Sequence, residues 1–132
     1  GDWLLVMPQQ SRCDRACLET IDQLQRIRIA LDRSIDRVQL IVLQPDTIAD
    51  PVLEGELESG IYNMTAPLSV VGALSTYEGA RMAAHIVDYR GFHILRYAAP
   101  LDAPGLLDDL EKLLRLAKEE AERRALEEAT ER

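Results

Sequence analysis

Two cysteines, Cys13 and Cys17, are the residues of this sequence best suited to chemistry. They are its only cysteines and frame the sequence Cys-Asp-Arg-Ala-Cys, where a polar loop gives way to a helical pattern. On a helix, this spacing places both sulfurs on one face, within reach of a disulfide or of one metal ion. The pair is therefore predicted to be a site that acts by redox exchange or by metal binding.

The surroundings of the pair favour the thiolate form of Cys13. A helix amino terminus and the guanidinium groups of Arg12 and Arg15 would both stabilise a negative charge on its sulfur. Thiolates are the nucleophiles of disulfide exchange and the ligands that soft metals prefer. The alternative is that Cys13 is an exposed loop residue and Cys17 a small hydrophobic core residue.

The segments around the pair predict the start of an α/β fold. Residues 3–7 and 38–43 are short apolar runs typical of buried strands, and residues 14–33 have helical periodicity. A strand, a helix and a strand in this order form a βαβ unit with parallel strands. Residues 49–60 are predicted to be a loop with at most one helical turn, before a short strand at 61–64 and a weak helix at 67–77.

The remaining segments complete the prediction. Residues 82–88 and 92–98 are apolar runs around a turn that ends at Gly91, which indicates a hairpin. A helix starts near Pro104, and its leucine stripe ends near Ala117. We predict a thioredoxin-like α/β domain over residues 1–118, with a central mixed sheet, flanking helices and a long C-terminal helix. Residues 119–132 are predicted to be a charged helical extension.

Charge argues against a nucleic-acid partner. The chain has 15 basic and 23 acidic side chains and a net charge of −8, whereas nucleic-acid binders present a basic face. The first helical region is locally basic, but acidic residues alternate with its arginines, which predicts a solvated helix face. Its arginines are Arg12, Arg15, Arg26, Arg28, Arg33 and Arg37. No G-x-S-x-G turn or isolated carboxylate pair indicates a classical enzyme, and no apolar run is long enough to span a bilayer.

A C-x-x-x-C pair before the first helix, in this order of elements, resembles the Sco/SenC proteins, the membrane-tethered copper chaperones of cytochrome oxidase assembly. Residues 88–97 are similar to that family's D-P-x-G hairpin, with Tyr89 at the position of the proline. The resemblance extends to about Lys118. It implies a domain that binds copper, or exchanges disulfides with an oxidase subunit, through Cys13 and Cys17. It also implies a periplasmic location or a membrane anchor facing the periplasm.

In the Sco/SenC proteins a distant histidine completes the copper site. The family places this histidine in a D-H-S sequence upstream of the hairpin, where Ala80 stands in this chain. If a third ligand exists here, we expect it to be His85 rather than His93. His85 is on the first hairpin strand, which in thioredoxin-like folds runs beside the loop that carries the cysteines.

The hairpin also determines whether the two histidines can act together. A two-residue turn would align Ile86 with His93 and His85 with Ile94. Because side chains alternate along a strand, His85 and His93 would then point to opposite faces of the sheet. The two histidines are therefore not expected to share one metal ion.

Two functions remain open from the sequence. The first is an extracytoplasmic Sco-like protein that uses Cys13 and Cys17 for copper binding or thiol–disulfide exchange during oxidase assembly. The second is a thioredoxin-fold interaction module, an assembly factor without metal or redox activity. The cysteine pair favours the first function, and the missing family ligand at Ala80 favours the second.

Overall fold

Strands and helices alternate along residues 2–54 and 57–131, the part of the chain described by this computed structural model. The strands are β1 (Trp3–Pro8), β2 (Val38–Pro45), β3 (Ile61–Ala66), β4 (Thr76–Tyr77), β5 (Ala80–Val87) and β6 (His93–Ala98). The helices are α1 (Arg15–Ala30), α2 (Pro51–Glu54), α3 (Leu68–Ser75) and α4 (Ala103–Glu131), with a 3-10 segment at Asp32–Arg37. Gly55 and Glu56 of the predicted loop, and the terminal residues Gly1 and Arg132, lie outside the described residues.

The strands form one mixed sheet in the order β3-β2-β1-β5-β4, with β6 also paired to β5. β2 runs parallel to both β1 and β3, as the predicted βαβ unit requires. β5 runs antiparallel to β1, β4 and β6. The thioredoxin-like fold with a mixed sheet and a long C-terminal helix is thus confirmed. The weak helix predicted over residues 67–77 ends at Ser75, and Thr76–Tyr77 form strand β4 instead, which is too short to show a period.

The two faces of the sheet have different partners. Leu5 of β1, Leu40 of β2 and Ile86 of β5 pack with leucines of α1 and α4 in the main hydrophobic cluster. We refer to this side as the α1–α4 face. Helix α3 packs across β1, β2 and β5 on the other side, the α3 face. Val6 and its ladder partner His85 point there, since side chains alternate along each strand.

The position of Arg28 differs from the one expected for the first helix. It was predicted on a solvated face, but it is only 3% exposed. Its guanidinium donates hydrogen bonds to the carbonyl oxygens of Val38, at 2.7 Å, and Ser59, at 3.3 Å, and to the side chain of Gln25. Buried carbonyl groups need donors, and Arg28 supplies them where the chain enters β2.

The hairpin turn contains three residues rather than the predicted two. Asp88 donates its amide to the carbonyl of Phe92 at 2.9 Å, which encloses Tyr89, Arg90 and Gly91. Gly91 has a φ of 91°, the left-handed region that glycine adopts without strain. The Asp88 carboxylate accepts hydrogen bonds from the amides of Arg90 and Phe92, both at 2.9 Å, and thereby closes the longer turn.

The longer turn changes the register of β6. Val87 pairs with His93, and the next pair is Ile86 with Leu95, so Ile94 is left as a bulge. In the predicted register His93 faced Ile86. Because a shift of one residue exchanges the two faces of a strand, His93 moves from the α1–α4 face to the α3 face.

Helix α4 continues well beyond its last contact with the core. Leu106, Leu110 and Leu114 are buried in the main hydrophobic cluster. From Ala121 to Glu131 the side chains are exposed. Here ion pairs such as Arg123–Glu127, at 3.2 Å, link residues within the helix. The helix therefore ends in a charged segment that contributes little buried surface.

Candidate redox and metal site

Cys13 and Cys17 form a disulfide at the entrance to α1, with their Cα atoms 5.2 Å apart. The chain leaves the end of β1 through a polar loop and enters the helix at Asp14, the N-cap residue. The Asp14 carboxylate accepts a hydrogen bond from the amide of Cys17 at 2.9 Å, which fixes the first turn. The predicted proximity of the two sulfurs is confirmed.

The pair is not carried on one helix face. Cys13 precedes the N-cap, and only Cys17 lies within α1, so a loop folded against the first turn brings the sulfurs together. Two of the amides near the Cys13 sulfur already donate to carboxylates. Asp14 accepts from the amide of Cys17, and Asp50 accepts from the amide of Cys13. Arg12 and Arg15 are exposed.

Asp50 is a site residue that sequence reasoning missed. This residue is 3% exposed. Its carboxylate accepts hydrogen bonds from the amide of Cys13 at 2.6 Å and from the side-chain amide of Gln44 at 2.8 Å. It also accepts the amide of Val52 at 3.1 Å, as an N-cap does for a helix that begins at Pro51. An Asp-Pro pair before a short apolar run was the available signal for this cap. Nothing in the sequence indicated that it would reach Cys13.

The hydrogen bonds keep the Asp50 carboxylate ionised. Burial by itself raises the pKa of Asp50, but the amide of Cys13, the side chain of Gln44 and further backbone amides outweigh it. The net effect holds the pKa of Asp50 below its ordinary value of 3.8. A buried negative charge therefore lies beside the backbone of Cys13 at neutral pH.

An open cleft of about 1330 Å³ adjoins the disulfide. Cys17 lines this cleft, together with the loop after β1, the first turns of α1 and residues at the junction of β6 and α4. Both cysteines are otherwise well covered, at 7% exposure for Cys13 and 4% for Cys17. The cleft is thus the side from which a partner can approach the disulfide.

The predicted ligand His85 and its neighbour His93 lie together on the α3 face. Nδ1 of His85 is 3.0 Å from Nε2 of His93, and Nε2 of His85 is 2.7 Å from the carbonyl oxygen of Leu74. Because a carbonyl only accepts, Nε2 of His85 donates, and its Nδ1 accepts from His93. The expectation that the two histidines face opposite sides was wrong, because the three-residue turn and the bulge at Ile94 shift β6.

The charge state of His85 follows from its position. Burial lowers the pKa of His85, and the nearby His93 and Arg96 lower it further. The hydrogen bond to the carbonyl of Leu74 opposes this but does not cancel it, so the pKa lies below 6.5. His85 is therefore neutral at physiological pH and keeps a lone pair on Nδ1.

The structure does not bring His85 to the cysteines. Cys13 and Cys17 pack in the cluster on the α1–α4 face, whereas His85 lies beside Val6 on the opposite face. Among residues 2–54 and 57–131, no three histidine, cysteine or acidic side chains are grouped so as to hold a metal ion. Cys13 and Cys17 are thus the two predicted ligands that do lie together.

Residues 3–117 match the sequence profile of a family described as the transmembrane-like, thioredoxin-like, C-terminal domain. The chain belongs to this family. The match covers every strand of the sheet and α4 as far as Ala117, so the site lies inside this thioredoxin-like domain. No helix in the described part of the chain is long and apolar enough to cross a membrane. No curated protein matches the domain in sequence.

Solved structures of Sco proteins share the fold of this thioredoxin-like domain. Copper-bound ScoI of Arabidopsis thaliana has a TM-score of 0.66 and 12% identity, over 88% of this chain and 86% of the other. Copper-bound ScoI of Bradyrhizobium japonicum has a TM-score of 0.58 and 11% identity, over 85% of each chain. A SCO1/SenC family lipoprotein from Bacillus anthracis str. Ames has a TM-score of 0.61 and 12% identity, over 86% of this chain and 82% of the other. The resemblance to Sco/SenC proteins is thus confirmed at the level of the fold.

Proposed function

We propose that this thioredoxin-like domain exchanges thiols and disulfides with a protein partner through Cys13 and Cys17. The observation that carries the proposal is the disulfide at the entrance to α1, beside an open cleft. Disulfide exchange needs a disulfide that an incoming thiolate can reach, held by groups that fix its position. The cleft provides the approach to Cys17, and Asp14 and Asp50 fix the backbone of the pair.

The exchange needs no oxidant other than the Cys13–Cys17 disulfide itself. A partner thiolate attacks one sulfur of the pair, the Cys13–Cys17 bond breaks, and the other sulfur leaves as a thiolate that takes up a proton. The partner's second thiol then loses its proton and attacks the mixed disulfide, which releases the second cysteine. The domain gains two electrons and two protons, and the partner dithiol becomes a disulfide.

Asp50 is a positioning residue in this scheme. It touches the backbone amide of Cys13 rather than a sulfur, at a point 37 residues away along the chain. Its negative charge opposes a second negative charge on a neighbouring thiolate. The reduced pair is therefore expected to carry less thiolate than a cysteine at a helix amino terminus without such a neighbour.

Copper binding by the reduced pair is a second candidate function. It is supported by the two Sco structures of the same fold that contain copper. After reduction of the disulfide, the two thiolates remain close together and suit a soft ion such as Cu⁺. This ion would be cargo that the domain delivers. In this proposal Cys13 and Cys17 bind the ion, and His85 on the other face is not among its ligands.

For the biological setting we propose an extracytoplasmic domain tethered to a membrane, with a cytochrome oxidase subunit as the partner. The Sco/SenC resemblance supports this setting, and one of the similar structures is a lipoprotein. Disulfides also persist in oxidising compartments such as the periplasm. The alternative, an interaction module without metal or redox activity, predicts a disulfide that has only a structural role.

A redox titration tests the proposed exchange. The folded chain is equilibrated in glutathione buffers of defined potential, its thiols are alkylated, and the thiols per chain are counted by mass. We expect both cysteines to be reduced in one two-electron transition while the circular dichroism remains that of the folded domain. A disulfide that is reduced only when the domain unfolds would contradict the proposal and support the interaction module.

A competition titration with Cu⁺ under anaerobic conditions tests the second candidate. The reduced wild type is compared with the Cys13→Ser/Cys17→Ser double variant and with His85→Ala. We expect the double variant to lose binding and His85→Ala to keep its affinity within a factor of a few. A loss of about tenfold or more in His85→Ala, with a circular dichroism spectrum that shows the variant is folded, would instead make His85 a ligand and require a rearrangement of the domain.

A further inference from the structure

Two histidines on the α3 face are not used by the cysteine chemistry. We propose that His85 and His93 together bind a divalent transition-metal ion, with water in the remaining coordination positions. The pair lies on the opposite face of the sheet from the Cys13–Cys17 disulfide. The proposal is therefore independent of the proposed thiol exchange and can fail or hold separately from it.

The spacing of the two ring nitrogens fits a shared metal ion. Nδ1 of His85 and Nε2 of His93 are 3.0 Å apart. With metal–nitrogen distances of about 2.0–2.1 Å, a separation of 3.0 Å corresponds to an angle of about 90° at the metal. The rings are inclined at 60° with centroids 4.9 Å apart, so their edges, rather than their faces, meet. The two nitrogens can thus occupy neighbouring positions of one coordination sphere.

A bound metal ion would replace the hydrogen bond that His93 now donates to His85. Nδ1 of His85 already carries a lone pair, because Nε2 of that ring donates to Leu74. His93 must free its Nε2, so its proton moves through solvent to its own Nδ1. This change of tautomer leaves the number of protons on the pair unchanged. His93 is exposed, so solvent and the ion can both reach the pair.

The neighbours of His85 orient its ring for this role. A histidine that binds a metal usually donates its other N–H to a carbonyl or carboxylate, which fixes the ring and raises its basicity. The carbonyl of Leu74, in the last turn of α3, accepts this bond at 2.7 Å. Arg96, the ladder partner of His85, acts in the opposite sense, because its positive charge repels a cation. Its guanidinium lies over the ring of Tyr77, 3.6 Å from the centroid.

The donor set selects the class of ion. Imidazole nitrogens suit copper, nickel and zinc better than magnesium or calcium, which prefer oxygen ligands. For a fixed set of ligands, affinity among first-row divalent ions is highest for Cu²⁺. An angle near 90° also matches the tetragonal geometry that Cu²⁺ prefers. We therefore expect Cu²⁺ to bind most tightly, and Ni²⁺ and Zn²⁺ more weakly.

The test is a titration of the oxidised chain with Cu²⁺, with the disulfide verified by mass so that the thiols cannot contribute. We expect the electron paramagnetic resonance spectrum to show coupling to two imidazole nitrogens in the wild type and to one in His93→Ala. His93→Ala should bind Cu²⁺ at least about tenfold more weakly. This variant is chosen because His93 is exposed, whereas loss of the buried His85 could disturb folding.

Two further variants make the result decisive. Leu95→Ala shortens an exposed side chain of the same strand on the other face, and its affinity should equal that of the wild type. Arg96→Gln removes a repulsive charge and should bind Cu²⁺ more tightly. Equal affinity in the wild type and His93→Ala, or a spectrum without two coupled nitrogens, would overturn the proposal. Neither result would bear on the redox titration of Cys13 and Cys17.

Discussion

The backbone amide of Cys13 donates a hydrogen bond of 2.6 Å to the carboxylate of Asp50, which approaches from the loop after β2. The same carboxylate accepts the side-chain amide of Gln44, which is itself buried at the end of β2. One buried acid therefore holds the loop that carries the disulfide against the end of the parallel strands. This contact determines where the cysteine pair stands relative to the sheet.

Replacing Asp50 with alanine should destabilise the domain by about 2–3 kcal/mol, because it leaves the buried amides of Cys13 and Gln44 without an acceptor. The measurement is urea unfolding at pH 7. Asp46→Ala is the matched control, since Asp46 is an exposed acid of the same loop and its loss should change stability little. Equal stabilities of the two variants would show that the contact to Cys13 is not structurally important.

The domain should become less stable as the pH drops below about 4. Protonation of Asp88 is one cause. Burial alone raises the pKa of Asp88, but hydrogen bonds from Phe92 and Arg90 outweigh it and hold the pKa below 3.8. A carboxylate whose folded pKa is depressed stabilises the fold above its unfolded pKa, and this stabilisation is lost as pH falls.

Urea unfolding between pH 7 and pH 2.5 measures this contribution. Asp88→Asn should be less stable than the wild type at pH 7, and the difference should narrow steadily towards pH 2.5. Asp108→Asn, at an exposed position of α4, is the control and should follow the wild type at every pH. A constant difference between Asp88→Asn and the wild type across the range would contradict a titrating Asp88.

Most of the fold could be predicted from the sequence because its elements have clear periods. The apolar runs of β1 and β2, and the leucine stripe of α4, follow the periodicities of strands and helices closely. The cysteine pair could be predicted because its two residues are only four positions apart, where the loop after β1 meets α1. Segments without a period, such as the two residues of β4, could not be predicted.

Contacts between residues that are distant in the sequence could not be predicted, for a physical reason. The contact between Asp50 and Cys13 depends on how two loops pack at the end of the sheet, which no local pattern encodes. The pairing of His85 with His93 depends on one extra turn residue and one bulge, and a change of one residue exchanges strand faces. Such details of register are decided by side-chain hydrogen bonds, here those of Asp88.

Removing the disulfide should lower stability by only about 2 kcal/mol, because the bond closes a very short loop and so restricts the unfolded chain little. The expected result is that dithiothreitol lowers the unfolding free energy of the wild type by this amount and leaves the domain folded. The Cys13→Ser/Cys17→Ser variant should not respond to dithiothreitol. Complete unfolding of the reduced wild type would show that the pair is structural and would argue against redox exchange.

Deleting residues 119–132 should change the melting temperature by no more than about 3 °C, because the removed segment buries little apolar surface and its surface ion pairs contribute little. Its side chains from Ala121 to Glu131 are exposed, and its ion pairs join residues of the same helix. Leu114→Ala in the full chain is the comparison, since it removes a buried side chain of the same helix and should cost about 2–5 kcal/mol. A melting temperature that falls as far in the truncated chain as in Leu114→Ala would show that the extension packs as part of the core. Analytical ultracentrifugation of both lengths separates this from self-association, in which case the loss of stability would depend on protein concentration.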